Sequence, residues 1–204
     1  NNYMQKVRPL VDWVKNYEEN HDGDKFYRME KNFHRKTNDP MTLGFYGISN
    51  STSTLNKSVI NMLHRYGYAS KSHWTKYLGG TPVADSLIGI KYVISNGKTE
   101  NQVLRELFYD AEHDYYVYEN PYALSLAFAA NAKAAELEIT DYESPLELMN
   151  ALTAAITGAD DVELFSRLDL ISTDYKNIDT GFTSKHRKYS KKTEGSPATI
   201  EYTV

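Results

Sequence analysis

The chain has 204 residues, enough for one ordinary domain with or without an appendage and enough to bury a sizeable core. Its apolar fraction of 41% and net charge of -4 exclude wholesale disorder, and they exclude a strong field for nucleic acid or an anionic membrane. With no cysteine, disulfides, thiolate metal sites and a cysteine nucleophile are excluded as well.

Seventeen tyrosines are present. A tyrosine has a flat apolar body and a polar tip, which suits sugar stacking and wet interfaces; it also fills half-buried strand positions. A bilayer span needs about 20 mostly apolar residues. The uncharged stretch Leu148 to Ala159 is shorter and contains Asn150, Thr153 and Thr157. The chain opens at Asn1 without a methionine and reads as an excised piece of a longer protein.

Met4, Val7, Leu10, Val11 and Val14 recur at helical spacing and predict a helix from Tyr3 to about Tyr17, with Pro9 marking a kink or a later start. Asn20 to Asp24 is a polar turn, and Phe26 to Lys31 alternates as a strand. Asn32 to Asn56 reads as loop. Val59, Ile60, Leu63 and Tyr66 form a helical stripe ending at Gly67. Leu87 to Ser95 is nearly all apolar and β-branched, as an interior strand with both faces covered should be. Asn96-Gly97 closes it as a turn.

Further on, Val103, Leu104, Leu107 and Phe108 suggest a short helix. Tyr115 to Tyr118 and Leu124 to Ala129 read as strands. Ser144-Pro145-Leu146-Glu147 opens a helix that should reach about Gly158, with Ser144 as N-cap and Pro145 at the first position. Leu164 to Ser172 reads as a strand. The expected class is mixed α/β (α+β): a central mixed sheet with packed helices, plus a truncated C-terminal β extension. Residues 1–173 would form the domain, and 174–204 a polar basic connector leading into a following β region. Ile200, Tyr202 and Val204 alternate with no evident partner.

Several clusters of reactive residues bear on chemistry. Gly47-Ile48-Ser49-Asn50-Ser51 resembles a nucleophile elbow, but Ser51 replaces the last glycine and no strand clearly feeds it. Asp110, Glu112, His113 and Asp114 match no helix-face metal motif and fit a solvated turn. Asn50-Ser51-Thr52 and Asn56-Lys57-Ser58 match a glycosylation acceptor pattern that is short and weak. The basic run Lys185 to Lys192 fits either a phosphate polymer, anionic lipid heads or a solvated connector. No metal or cofactor is expected.

Two segments carry a resemblance. The first is Phe26-Tyr27-Arg28-Met29-Glu30-Lys31, Asn38-Asp39, and Gly44-Phe45-Tyr46-Gly47-Ile48-Ser49 with Ser51 to Asn56. The second is Thr81-Pro82-Val83-Ala84-Asp85-Ser86 running into Leu87 to Ser95, followed by Tyr118 to Phe128. In this order they resemble the large extracytoplasmic region of YfhO-like bacterial membrane proteins, well over residues 1 to 135 and loosely beyond.

That family is similar to C-type glycosyltransferases, which place a sugar from a polyprenyl-phosphate donor on an acceptor such as a teichoic-acid-type wall polymer. The resemblance implies location at the extracytoplasmic face of the cell membrane. It implies transmembrane helices of the same polypeptide as partners, together with wall polymer and lipid-linked sugar, and no nucleic acid. The catalytic carboxylate of such enzymes lies on a membrane-proximal loop with no counterpart here, so catalytic residues stay unknown. The alternative is a non-catalytic polymer-binding or scaffolding domain. In the distinctive loop, Asn38, Asp39, Tyr46, Ser49 and Ser51 are the candidate substrate-binding residues: the polar groups for sugar hydroxyls, Tyr46 as a stacking face. The competing reading is that these groups hold the loop itself together.

Overall fold

The computed structural model describes residues 2–21, 26–182 and 187–204. They fall into two compact units, Asn1–Leu164 and Phe165–Val204.

In the first unit, helix α1 (Asn2–His21) lays Val7, Leu10, Val11 and Val14 against a four-stranded sheet. The helix runs a turn past the expected Tyr17 and passes through Pro9. Pro9 is on the exposed face, where water can satisfy the carbonyl that loses its partner. The turn expected over Asn20 to Asp24 therefore begins inside the helix, and residues 22–25 lie outside the described residues.

The sheet contains β1 (Arg28–Lys31), β5 (Ile90–Asn96), β6 (Arg105–Asp110) and β7 (Tyr115–Glu119), in the order β1-β5-β7-β6. β1 is parallel to β5 and the other pairs are antiparallel, so the sheet is mixed, as expected. β5 is interior, and Ile90, Tyr92, Val93, Ile94 and Ser95 are all buried. The parity of a strand sends Tyr92 and Ile94 to the α1 face and Val93 to the other.

Between β1 and β5 lie smaller elements. The segment expected to be loop contains a short helix α2 (Asp39–Leu43) and strand β2 (Asn50–Ser51). Helix α3 (Lys57–Arg65) carries the expected stripe, buries Ile60 and Leu63, and is capped by the Asn56 side chain. Strands β3 (Ala69–Lys71) and β4 (Trp74–Lys76) form a three-stranded sheet with β2, in the order β2-β4-β3. Helix α4 (Pro82–Leu87), with Thr81 as N-cap, occupies the start of the stretch expected as strand, so β5 begins only at Ile90.

Three expectations fail for physical reasons. Val103 to Phe108 is not a helix: its end lies in β6, which joins β7 through a turn at Asp114 (φ 56). A register shift between Glu106 and Phe108 breaks strict alternation, which made the apolar spacing look helical. Leu124 to Ala129 and most of Leu164 to Ser172 are irregular, with Leu126, Phe128, Leu168 and Ile171 exposed; apolar runs alone supply no ladder partner. Helix α5 (Pro145–Thr157) matches its expectation, with Ser144 accepting from the Leu146 amide and Gly158 closing it at φ 76.

In the second unit, β8 (Ser172–Lys176) pairs antiparallel with β11 (Thr199–Thr203), and β9 (Ile178–Phe182) with β10 (Arg187–Lys191). The terminal strand thus has a partner within the chain. Much of the basic run expected as connector is β10; Lys185 and His186 lie outside the described residues.

Candidate functional site

The distinctive loop is fastened to β1 by buried charge. Glu30 is fully buried, and its Oε1 accepts from the amides of Ile48 (2.6 Å) and Ser49 (2.8 Å). Its Oε2 accepts from Ser49 Oγ at 3.0 Å. Burial pushes the Glu30 carboxyl up, against the Ser49 and Ile48 bonds that favour the anion. Ser49 Oγ in turn accepts from the Tyr77 amide at 2.9 Å, and the Met29 amide donates to the Tyr46 carbonyl. Gly47 fits because there is no room for more: a Cβ there would stand 2.7 Å from Glu30 Oε1 and 2.9 Å from Pro40 Cγ.

Neighbouring Lys31 is also fully buried and meets Asp39 at 3.3 Å. Asp39 accepts further from the Tyr3 hydroxyl (2.6 Å) and the Arg35 amide (3.1 Å). Burial alone would raise the Asp39 carboxyl; the Tyr3 hydroxyl, the Lys31 charge and the Arg35 amide together hold it below its usual value. Asn38 braces the same loop, donating to the Ser51 carbonyl (2.9 Å) and accepting from the Ser51 amide (2.5 Å).

Of the five residues singled out from sequence, Asn38, Asp39, Ser49 and Ser51 therefore take part in internal bonds. Tyr46 alone stands out, 64% exposed. Its ring packs on Phe26 at 5.0 Å between centroids, and the Arg28 guanidinium lies 5.2 Å over the other ring of that pair, Phe26. Phe26, Arg28 and Glu30 lie in the motif segments, with no role evident from the sequence. Three charged residues among the four of a strand whose end is buried were the available signal for Glu30 and Lys31.

The Tyr46–Phe26–Arg28 shelf leads to a cavity of about 400 Å³ that Arg28 also lines, together with Ile48, Asn50, Leu55, Val59 and Leu126. That size and mixed lining suit a small ligand or one unit of a polymer. On the far side of β4 an open groove of about 810 Å³ is lined by Arg65, Lys71, Trp74 and Tyr142. Consecutive β4 residues serve the two hollows, Trp74 the groove and Thr75 the cavity.

The other sequence candidates resolve simply. Ser49 is buried among Glu30 and Tyr77, which is no setting for an exposed nucleophile. Asp110 and His113 bond at 2.9 Å across a turn, and among the described residues no group of His, Asp and Glu could hold a metal ion. Asn56 is occupied as a helix cap.

The fold and site describe a domain whose most distinctive sequence builds a braced surface shelf, and the chain comes from a class of bacterial membrane proteins. Residues 1–204 match the family described as bacterial membrane protein YfhO, and the chain belongs to that family. No curated protein and no solved structure matches it. Among the described residues, no helix is long and apolar enough to cross a membrane.

Proposed function

We propose that this chain is the extracytoplasmic domain of a polytopic membrane protein that glycosylates a teichoic-acid-type wall polymer from a polyprenyl-phosphate sugar. In this reading the domain shapes the acceptor side of the site. The observation that carries it is the exposed Tyr46–Phe26–Arg28 shelf opening onto the 400 Å³ cavity, built from the family's distinctive segments. Aromatic faces stack on sugar rings, and a guanidinium holds an anionic or hydroxyl-rich group. Asn38, Asp39, Ser49 and Ser51 serve this surface by fixing the loop that presents Tyr46. The transfer step, with its base and its site for the phosphate leaving group, belongs to other parts of the protein.

The test is polymer glycosylation by the full-length protein in detergent. Replacing Tyr46 and Phe26 together by alanine should lower transfer by about tenfold, about 1.4 kcal/mol, with the melting temperature kept. Unchanged transfer would overturn the assignment. A second reading, a scaffolding domain without a part in transfer, is favoured by the internal bonding of four of the five polar candidates. It expects the double variant to transfer normally.

A further inference from the structure

The second unit exposes aromatic rings on one face. Strand parity and register place Tyr175, Ile200 and Tyr202 together on the β8–β11 ladder, because Tyr175 pairs with Ile200 and Thr173 with Tyr202. On the β9–β10 ladder, Phe182 pairs with Arg187 and Thr180 with Tyr189, again on one face. Across the two ladders Tyr175 and Tyr189 lie 6.1 Å apart at their centroids. Arg187 donates to the Tyr175 hydroxyl at 3.1 Å and its guanidinium lies 5.3 Å over the Phe182 ring.

Rings joined this way would ordinarily form a core, yet Phe182 is 78% exposed, Tyr202 56% and Tyr189 40%. A two-stranded ladder is marginal by itself, so leaving its largest apolar groups in water needs a reason. The charge supplies a direction. Residues 165–204 hold seven basic and five acidic residues, a net +2 within a chain of net -4. Arg187 and Lys191 share the aromatic face, while the Lys176–Glu201 pair lies on the other side of its ladder.

We propose that this face is a binding platform for an anionic polysaccharide, with Tyr189, Tyr202 and Phe182 stacking on sugar rings and Arg187 and Lys191 meeting carboxylate or phosphate groups along the chain. The platform stands independently of the transfer reading, since it uses none of the residues of the Tyr46 shelf. Arg187, bonded to the Tyr175 hydroxyl and lying over Phe182, and the contact of Tyr175 with Tyr189 hold the rings in place, which reduces the ordering that binding must otherwise impose. A bilayer would instead favour an apolar face that can be buried in the acyl boundary, and here Tyr175, Tyr189 and Tyr202 each add a polar hydroxyl to the face.

The test is calorimetric titration of the 204-residue chain with oligogalacturonate, with neutral dextran oligosaccharide and with phosphatidylglycerol vesicles. Oligogalacturonate should bind, more weakly as salt rises, and dextran should bind at least tenfold less tightly. Phe182→Ala, a substitution at an exposed site, should weaken binding several-fold while circular dichroism is kept. Arg187→Gln should remove much of the salt dependence. Tyr202→Phe, which keeps the ring, should bind within about twofold of the parent. No binding of oligogalacturonate overturns the proposal. So does equal affinity for dextran, binding of the vesicles alone, or affinity unchanged in both Phe182→Ala and Arg187→Gln.

Discussion

Glu30 holds Ser49 by two atoms at once: one carboxylate oxygen accepts from the Ser49 amide at 2.8 Å and the other from its hydroxyl at 3.0 Å, while the Ile48 amide shares the first oxygen. An edge strand is thereby tied to the loop that presents Tyr46 by a buried carboxylate, beside a single backbone bond from the Met29 amide to the Tyr46 carbonyl. Removing one side of such a contact leaves the other side's donors buried without partners.

Glu30→Ala should therefore cost about 1–3 kcal/mol for each amide left unpaired. Glu30→Gln keeps one acceptor oxygen for the two amides and should cost less. Amide hydrogen exchange at Ile48 and Ser49 would report the effect directly, quickening most in the alanine variant. Equal protection in the parent and in Glu30→Ala would mean that the loop is held by other contacts.

Asp39 gives stability a defined pH dependence. Its folded carboxyl is held below the ordinary value, so the unfolded chain binds the proton more readily. The stabilisation is complete above the usual carboxylate range, near about pH 4, and is lost as the pH falls from there through the depressed folded value. Asp39→Asn leaves Lys31 buried without its partner and should cost about 3–5 kcal/mol at pH 7. Urea midpoints for both proteins between pH 7 and pH 2.5 would check this. The gap between them should narrow below pH 4; a constant gap would show that Asp39 does not titrate differently in the two states.

The interior position of β5 makes a simpler prediction. Ile90 is fully buried and Val93 3% exposed. Aspartate at either site buries a charge with no partner, and the protein should lose several kcal/mol, about 4 or more. Chemical denaturation of Ile90→Asp and Val93→Asp should give midpoints well below the parent, or no folded baseline. An unshifted midpoint in either would place that residue at the surface.

How far the sequence was legible depends on how local each signal was. α5 could be read because Ser144, Pro145 and Gly158 mark both its ends. β5 could be read because both its faces are apolar. β6 could not, since its apolar spacing fits a helix as well as a bulged strand, and β7, 5 residues beyond its end, decides the matter only in three dimensions. In the site, the sequence located the right loop and picked Tyr46 for its ring. It did not show that Asp39 turns towards Lys31 and Tyr3, or that Ser49 turns towards Glu30, because those partners lie 8, 36 and 19 positions away. Polar loop residues look alike in sequence whether they face water or a buried charge on a strand.

Gly47 offers the sharpest test of how tightly the loop is docked. A methyl group added there would meet Glu30 Oε1 at 2.7 Å, Pro40 Cγ at 2.9 Å and the Met29 carbonyl at 3.1 Å. None of these can move freely: Glu30 is fixed by three hydrogen bonds, Pro40 is buried in α2, and the Met29 carbonyl is part of β1. The loop must therefore lift from the strand or Glu30 must leave its amides, and overpacking of this kind typically costs about 1–3 kcal/mol. Either movement also shifts Tyr46, one residue away, relative to Phe26. Gly47→Ala should thus lower the melting temperature and, in the full-length protein, lower polymer glycosylation more than its loss of stability accounts for at a temperature where the variant is fully folded. The control is Gly97→Ala: a Cβ there meets nothing within 4 Å, although its positive φ of 95° makes alanine strained. It should lose stability without losing transfer. If the two variants lose transfer equally once both are folded, the docking of this loop has no bearing on the activity.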